Sequence, residues 1–327
     1  MSIRYITSID TPDRKSLSGR VLSQVRREFG AEVEPFTLHL PVPELLAGSW
    51  MACRETLLAG DGSRNAKELV AAAVSTINRC PYCVDAHSIM LQESSGLDYS
   101  EALTAPYLKE VAAWAMATRS PGSPILLAPP FSQIEAPAFI GTAVFFHYIN
   151  RMVTILLGAS PLPFSSGLPK KVSLHIAAWF FGGAIRLEKI PGESVDLLPK
   201  AELPEDLSWA KTSPAIAGAF ARFAKSIEQA GTTSLSDNVR ASVKKTLSNW
   251  NGSDPEMHTE WLEEALAELQ EGEKAVAKLA LLTALAPYRV DEKTVRGFSM
   301  HFPGDKRLIS ALAWSSFTAS RKIGSWL

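Results

Sequence analysis

The stretch AVSTINRCPYCVDAHSIML, residues 73–91, holds two cysteines and a histidine whose spacing could support thiol chemistry. Pro81 stands between Cys80 and Cys83, and proline is favoured at the first position of a helix, where its missing N–H costs nothing. This predicts a helix that begins at Pro81, with Cys80 as its N-cap and Cys83 in its first turn. Backbone N–H groups and the positive end of the helix dipole then face the sulfurs and favour the thiolate form. We therefore expect a pKa for Cys83 below the value of about 8.5 for a free thiol.

His87 and Glu68 could supply the proton transfer that a reactive thiol needs. His87 lies one turn beyond Cys83 on the same helix face, so it could accept the thiol proton or return one to a leaving group. A base needs a partner that orients it. If the chain reverses at NRCPY, the helix over 65–79 runs antiparallel to the next helix and brings Glu68 within about one turn of His87. The two thiols could also close a disulfide, so that one sulfur resolves the oxidation of the other.

The same residues also have structural interpretations. Glu68 could complete a capping box with Asn65 at the start of its helix, and His87 could be a satisfied core histidine. The cysteine pair could bind zinc, but structural zinc takes four ligands and the chain has no second CxxC motif. His87 and a distant residue such as Cys53 or His39 would have to complete that site. Cys53 lies in an apolar helical stretch and is interpreted as a core residue.

Composition narrows the class of protein. The chain has 327 residues, of which 46% are hydrophobic, and a formal net charge of -1. Without a basic field, we expect no nucleic-acid partner. The first residues lack the long apolar core of a signal peptide, and the longest apolar runs are shorter than the roughly 20 residues of a membrane span. We therefore expect a cytoplasmic protein with no membrane partner, in which a CxxC pair is more often catalytic or metal-binding than structural.

The hydrophobic pattern predicts an all-α fold. Apolar residues recur at three- and four-residue spacing, as in amphipathic helices, and alternating strand-like runs are scarce. His147, in one of these runs, is interpreted as a packing residue. A segment from about 159 to 206, rich in proline and glycine, is predicted to be a connector with one helix, VSLHIAAWFFGGAIRL. The predicted helices cover 65–79, 101–118, 134–158, 255–285 and 308–327.

A shift of the sequence by 170 residues aligns its two halves. This shift lays Ala47, Gly48 and Arg151 on Ala217, Gly218 and Arg321. It lays Glu68, Cys80, Cys83 and His87 on Asn238, Trp250, Ser253 and Met257. We therefore predict a degenerate duplication: a redox-active helical domain over 1–165, a connector over 166–205, and a second copy without cysteines over 206–327. Only the first half could then perform thiol chemistry.

The four candidate residues form the pattern E-x11-C-x2-C-x3-H. Together with CPYC and NRM, this pattern resembles the AhpD-like alkylhydroperoxidase branch of the carboxymuconolactone decarboxylase superfamily. The likeness is good over residues 40–158. It implies an all-helical fold that is usually oligomeric, so we expect a possible homo-oligomer. Together with the duplication it predicts two tandem AhpD-like helical domains, the second a degenerate copy, and we expect no cofactor and no metal. Some members carry a second histidine between the cysteines, where this chain has Tyr82.

The resemblance implies a function and a set of roles. Glu68, Cys80, Cys83 and His87 would be the catalytic residues of a thiol-dependent peroxidase or disulfide oxidoreductase. Cys83 would attack the hydroperoxide, Cys80 would resolve the oxidised sulfur, and a thiol or dithiol donor protein would restore the pair. The alternative hypothesis is a non-catalytic helical scaffold or binding protein whose dithiol is regulatory or holds a metal.

Overall fold

The computed structural model describes residues 3–7, 11–157, 189–255 and 258–327. Within these residues the chain forms helices and turns and no β-strand, so the all-α prediction is confirmed. The helix predicted in the connector, over 172–187, and the position of Met257 lie outside the described residues.

Nine α-helices lie in the described part of the first half. Their bounds are α1 Leu17–Phe29, α2 Glu34–Thr37, α3 Pro43–Cys53, α4 Arg64–Ile77, α5 Pro81–Ser95, α6 Tyr99–Ala102, α7 Pro106–Ala117, α8 Pro124–Leu127 and α9 Ala136–Leu156. A π-helical turn, Arg54–Leu58, continues α3.

The described part of the second half contains six α-helices and three short 3-10 turns. The helices are α10 Pro214–Ser234, α11 Asp237–Ser248, α12 Glu260–Leu266, α13 Glu271–Leu285, α14 Glu292–His301 and α15 Asp305–Gly324. The 3-10 turns are Val195–Leu197, Glu205–Ala210 and Pro287–Arg289.

Two of the predicted helices are each interrupted. The helix expected over 101–118 ends at Ala102, and α7 begins anew at Pro106, because a proline at the first helical position cannot continue the preceding hydrogen-bond ladder. The helix expected over 255–285 is divided into α12 and α13, with Gln270 in an extended conformation between them. Glu271 and Glu273 favour the new helix start because they complement its dipole. The other three predicted helices agree with the structure to within a few residues.

Helix α9 forms the centre of the core and lies against the site. It is long and apolar enough to cross a membrane, which corrects the expectation that the apolar runs of the chain are too short. However, 94% of its most apolar stretch is buried inside the protein, as for the core helix of a soluble fold. Helices α4 and α5 form a hairpin on one side of α9. The hairpin holds the four candidate residues, and α9 packs against it.

The halves meet through two helix pairs. Helix α3 packs against α10, and α9 packs against α15. At the first contact Gly48 leaves room for Phe223, because a Cβ on Gly48 would lie 2.6 Å from Phe223 Cδ2. These pairs consist of helices that the 170-residue shift superimposes. The duplication itself, with its three segment boundaries, stays a prediction.

Candidate active site

The CxxC motif lies at the sharp reversal between α4 and α5. Helix α4 ends at Ile77, and Arg79 adopts a left-handed conformation with φ of 54°, which turns the chain back on itself. Helix α5 then begins at Pro81 with Cys80 at the N-cap. The predicted placement of both cysteines, Cys80 before the first turn and Cys83 within it, is thus confirmed.

The reversal brings Glu68 and His87 into direct contact. His87 Nδ1 lies 2.6 Å from Glu68 Oε2, while Arg64 donates from Nε to Glu68 Oε1 over 2.7 Å. Glu68 is fully buried, and the side chain of His87 is 13% exposed. The capping-box interpretation of Glu68 is therefore wrong, since its carboxylate is used by Arg64 and His87 and Ser63, not Asn65, is the N-cap of α4.

The charges around Glu68 determine which ring nitrogen of His87 carries a proton in their contact. Burial alone would raise the pKa of Glu68, but the charges of Arg64 and His87 and their hydrogen bonds outweigh burial and lower it. An ionised carboxylate can only accept hydrogen bonds, so Nδ1 of His87 carries the proton in this contact. Nε2 is then the ring nitrogen that can take up or release a proton. The rings of Phe146 and His87 pack nearly perpendicular to each other, with centroids 4.4 Å apart.

The two thiols are buried and act on each other. Cys80 is 1% exposed and Cys83 is 3% exposed, and both are unbridged. The expectation of a depressed pKa for Cys83 is wrong: burial, followed by its interaction with Cys80, raises the pKa of Cys83. The pKa of Cys80 is lowered, chiefly because the Cys83 thiol donates to its sulfur. These directions favour Cys80 over Cys83 for the first negative charge of the reduced pair.

Helix α9 supplies further donors to Cys80. Side chains of Thr154 and Asn150, one turn apart on α9, also favour the Cys80 thiolate. The hydroxyl oxygen of Thr154 is buried and has no conventional hydrogen-bond partner, so its O–H remains available to the sulfur. The Cys80 side chain does not accept an N-cap hydrogen bond of good geometry. The backbone N–H of Cys83 nevertheless lies close enough to favour the Cys80 thiolate.

Asn150 is held in place by a small polar network. Its Nδ2 donates to Ser75 Oγ over 3.0 Å, and its Oδ1 accepts from Asn78 Nδ2 over 2.9 Å. The amide therefore has a fixed orientation beside the thiols. Sequence reasoning quoted Asn150 only within NRM and gave no role to Thr154. The signal that could have found them is their i, i+4 spacing on the most apolar helix, where each polar side chain needs a buried partner.

The remaining candidates have structural partners. Tyr82, where some relatives have histidine, donates its hydroxyl to Glu34 Oε2 over 2.8 Å and so ties the start of α5 to α2. His39 contacts Tyr148 Oη over 2.6 Å, and burial lowers its pKa to about 4. Cys53 is buried in α3, as expected for a core residue. His147 lies between Asn78 and Thr118. Within the described ranges, no three His, Cys, Asp or Glu side chains are grouped so that they could share a metal ion.

The chain belongs to the carboxymuconolactone decarboxylase superfamily, in its AhpD-like branch. The sequence profile described as "Carboxymuconolactone decarboxylase family" matches residues 44–119, which include the whole α4–α5 hairpin. One relative is similar over nearly the full length of both proteins: alkyl hydroperoxide reductase Rv2159c from Mycobacterium tuberculosis (strain ATCC 25618 / H37Rv). The identity is 38% over 320 residues, which cover 94% of this chain and 90% of the relative. These similarities support a hydroperoxide-reducing family and a peroxidase-like enzyme.

Proposed function

We propose that the protein is a cytoplasmic thiol-dependent peroxidase that reduces hydroperoxides through Cys80 and Cys83, with Glu68 and His87 as its proton relay. The observation that carries this proposal is the 2.6 Å contact between Glu68 and His87, because it orients an imidazole one turn from a buried dithiol. A histidine that served only to fill the core would need no ionised carboxylate, and such a carboxylate is costly to bury. The relative's name, alkyl hydroperoxide reductase, supports the same reaction class.

The charge distribution suggests the order of steps. The Cys80 thiolate attacks the distal oxygen of the hydroperoxide, the O–O bond breaks, and Cys80 becomes a sulfenic acid. The departing alkoxide takes a proton that originates on Cys83 and passes through Nε2 of His87, which leaves an alcohol and a Cys83 thiolate. Cys83 then attacks the sulfenic sulfur, the S–O bond breaks, and the hydroxide leaves as water after protonation. Two thiols and one hydroperoxide thus give a disulfide, an alcohol and water.

This order departs from the roles that the resemblance implies. There, Cys83 attacks and Cys80 resolves. The described structure favours Cys80 for the attack because the groups that stabilise a thiolate converge on it, whereas the pKa of Cys83 is raised. The overall reaction is the same for both orders, so the proposed function does not depend on this assignment.

The pair must be reduced again after every turnover. A dithiol donor can do this by thiol–disulfide exchange, in which its thiolate attacks one sulfur of the Cys80–Cys83 disulfide and its second thiol releases the donor. We therefore propose a protein or small-molecule dithiol as the second substrate.

The test is a thiol titration without oxygen. The reduced protein is mixed with cumene hydroperoxide, and free thiols and peroxide are measured together over time. We expect the rapid loss of two thiols per peroxide and catalytic turnover when a dithiol donor is added. Two thiols that persist under excess peroxide would contradict the proposal and favour a helical scaffold or binding protein. Cys53→Ala is the matched control, because it removes the third buried thiol and should change neither result.

A further inference from the structure

Three arginines surround a small pocket where the halves of the chain meet. Arg79, Arg119 and Arg151 line it from the first half, and Asp254 lines it from the second. The three arginines face one carboxylate, so the wall of the pocket carries an excess of positive charge. Arg119 donates to Asp254 Oδ1 over 2.6 Å, and Arg79 lies 3.1 Å from Asp254 Oδ2. Asp254 is thus shared by two guanidinium groups.

The third guanidinium, Arg151, is deeply buried. It is 4% exposed, and its described hydrogen bonds go to the carbonyl oxygens of Ala284 and His147. Among the described residues, no carboxylate pairs with it. Burial and the nearby charge of Arg119 lower its pKa to about 9, which still leaves it charged at neutral pH. The charge of Asp254 opposes this lowering without a direct ion pair, and a bound anion would offset more of the cost of burying the guanidinium.

The corresponding arginine of the second half shows what a purely structural arginine looks like here. Arg321, which the 170-residue shift lays on Arg151, forms an ion pair with Asp206 through Nε over 2.7 Å and lies 3.5 Å from Glu228. Its charge is thus balanced by carboxylates of the chain itself. Arg151 has no such direct pair among the described residues, so an anion bound in the pocket could serve as its partner.

The size of the pocket limits the anion. The pocket measures about 20 Å³, which is room for about one or two water-sized atoms. A carboxylate, with two oxygens, therefore suits this space better than a phosphate with four. The pocket continues into an open groove of about 570 Å³ that shares Ile77, Arg119 and Asp254 with it and is also lined by Met116 and Pro121. An apolar chain attached to the carboxylate could lie along these side chains.

Aromatic rings hold the arginines in position. The Trp250 ring lies 5.8 Å from the Arg119 guanidinium carbon and 5.9 Å from that of Arg151, and the Tyr288 ring lies 5.8 Å from that of Arg79. Stacking on an aromatic face orients a guanidinium for the recognition of a carboxylate. Arg119 already donates to Gly252 O, Ile77 O and Asp254, so the donors that would meet a carboxylate belong to Arg79 and Arg151. Both rings come from the second half.

We propose that this pocket binds the carboxylate of an organic acid, with the apolar part of the acid in the adjoining groove. The site borders the CxxC turn, since Arg79 directly precedes Cys80, and Asn78, another lining residue, bonds to Asn150. The proposal gives the second half a binding role beside the thiols. It does not rest on peroxidase activity, because binding can be measured on the reduced or the oxidised protein alone.

The test is calorimetric titration of the full-length protein with octanoate, and with 1-octanol as the uncharged probe. We expect saturable octanoate binding, weaker binding of octanol, and little competition by inorganic phosphate. Arg79→Ala should weaken octanoate binding about three- to tenfold, and Arg79→Lys should restore part of the loss because it keeps the charge. Arg79 suits this test because its side chain is 68% exposed, so its removal leaves the core intact.

The matched control is Arg296→Ala, which removes an arginine of 69% side-chain exposure from α14, in a surface pair with Glu292. It should leave octanoate binding unchanged. The proposal is overturned if octanol binds as tightly as octanoate, if Arg79→Ala binds octanoate as the unaltered protein does, or if octanoate shows no saturable binding.

Discussion

The turn that carries the cysteines differs sharply from the segment that the 170-residue shift aligns with it in the second half. In the first half, α4 and α5 are joined by residues 78–80 alone, and the proline at the start of α5 places both sulfurs at a helix N-terminus. In the second half, α11 ends at Ser248 and α12 begins only at Glu260. The longer connection cannot present side chains at a helix start directly after a reversal. A reactive turn thus depends on the shortness of the connection as well as on cysteine.

The partners of the reactive residues differ between the halves as well. The positions that correspond to Glu68 and Cys80 are held by Asn238, which lies 3.4 Å from Glu273, and by Trp250, which packs against Trp326. Thr154, one of the donors to Cys80, corresponds to Gly324, which has no side chain to donate. The second half therefore lacks the nucleophile and its surroundings, and packing and arginine stacking occupy those positions instead.

The pairing of α3 with α10 and of α9 with α15 is what a duplicated chain would produce. In single-domain relatives that form oligomers, identical helices could meet in this way across a subunit interface. We therefore propose that one chain imitates a dimer of the family. The comparison between the halves then predicts that reactivity resides in one half and that the other contributes stability and binding.

The largest expected effect comes from the cysteine pair. Cys80→Ser and Cys83→Ser should each abolish peroxide turnover, because a disulfide cannot form. Since the pKa shifts favour the thiolate at Cys80, Cys83→Ser should accumulate a sulfenic acid at Cys80. Trapping with dimedone followed by peptide mass spectrometry locates it. A sulfenic acid on Cys83 in Cys80→Ser, with none on Cys80 in Cys83→Ser, would reverse the proposed order of attack, and normal turnover in both variants would contradict the site itself.

The next effect concerns the proton relay. His87→Ala and Glu68→Gln should each slow the reaction by about 10²–10⁴-fold, the range for a positioned general base. The double variant should be little slower than the slower single variant, because the two residues act as one unit. Stopped-flow rates of thiol oxidation measure this. If the rate loss of the double variant equals the product of the two single losses, Glu68 and His87 act independently. His301→Ala, which removes an exposed histidine at the end of α14, is the control and should react at the unaltered rate.

The local chemistry of this site could be predicted from the sequence because it depends on short-range rules. Pro81 determines where α5 begins, and the reversal before it brings Glu68 back to His87, so spacing alone predicted their contact. The pKa of Cys83 could not be predicted in this way. Burial and the interaction with Cys80 raise this pKa, against a smaller lowering by Asn150 of α9, and helix-dipole reasoning includes none of these.

The arginine pocket between the halves could not be predicted from the sequence pattern either. Nothing in the spacing of Arg79, Arg119 and Arg151 indicates that they converge, because their approach depends on how α9 and residues 249–255 pack. The interruptions at Pro106 and Gln270 were missed for a simpler reason: the apolar periodicity continues through both, and only a cap or a proline marks the break.

A moderate effect on stability is expected from Trp250, the counterpart of Cys80. Trp250→Ala should lower the free energy of unfolding by about 1–3 kcal/mol, because it removes the contact with Trp326, the stacking on Arg119 and Arg151, and the hydrogen bond to Ser253. Urea unfolding measures the loss. Trp250→Phe keeps a ring and should lose less. The peroxide reaction of folded protein should be nearly unchanged, and a loss as large as that of His87→Ala would show that the second half takes part in the chemistry.

The smallest expected effect tests the donors of α9. Thr154→Val keeps the shape of the side chain and removes the hydroxyl that faces Cys80. Because a donor to the thiolate lowers the pKa of Cys80, its removal should raise that pKa, and the pH profile of Cys80 alkylation by iodoacetamide should move to higher pH. At a pH well above the pKa of Cys80 in both proteins, the alkylation rates should converge.

Thr118→Val, which removes a buried hydroxyl from the His147 network and not from the thiols, should leave the profile in place. A Thr154→Val profile that coincides with that of the unaltered protein would remove Thr154 from the site. A shift to lower pH would mean that the hydroxyl stabilises the thiol form, and the charge assigned to Cys80 would then have to be moved to Cys83.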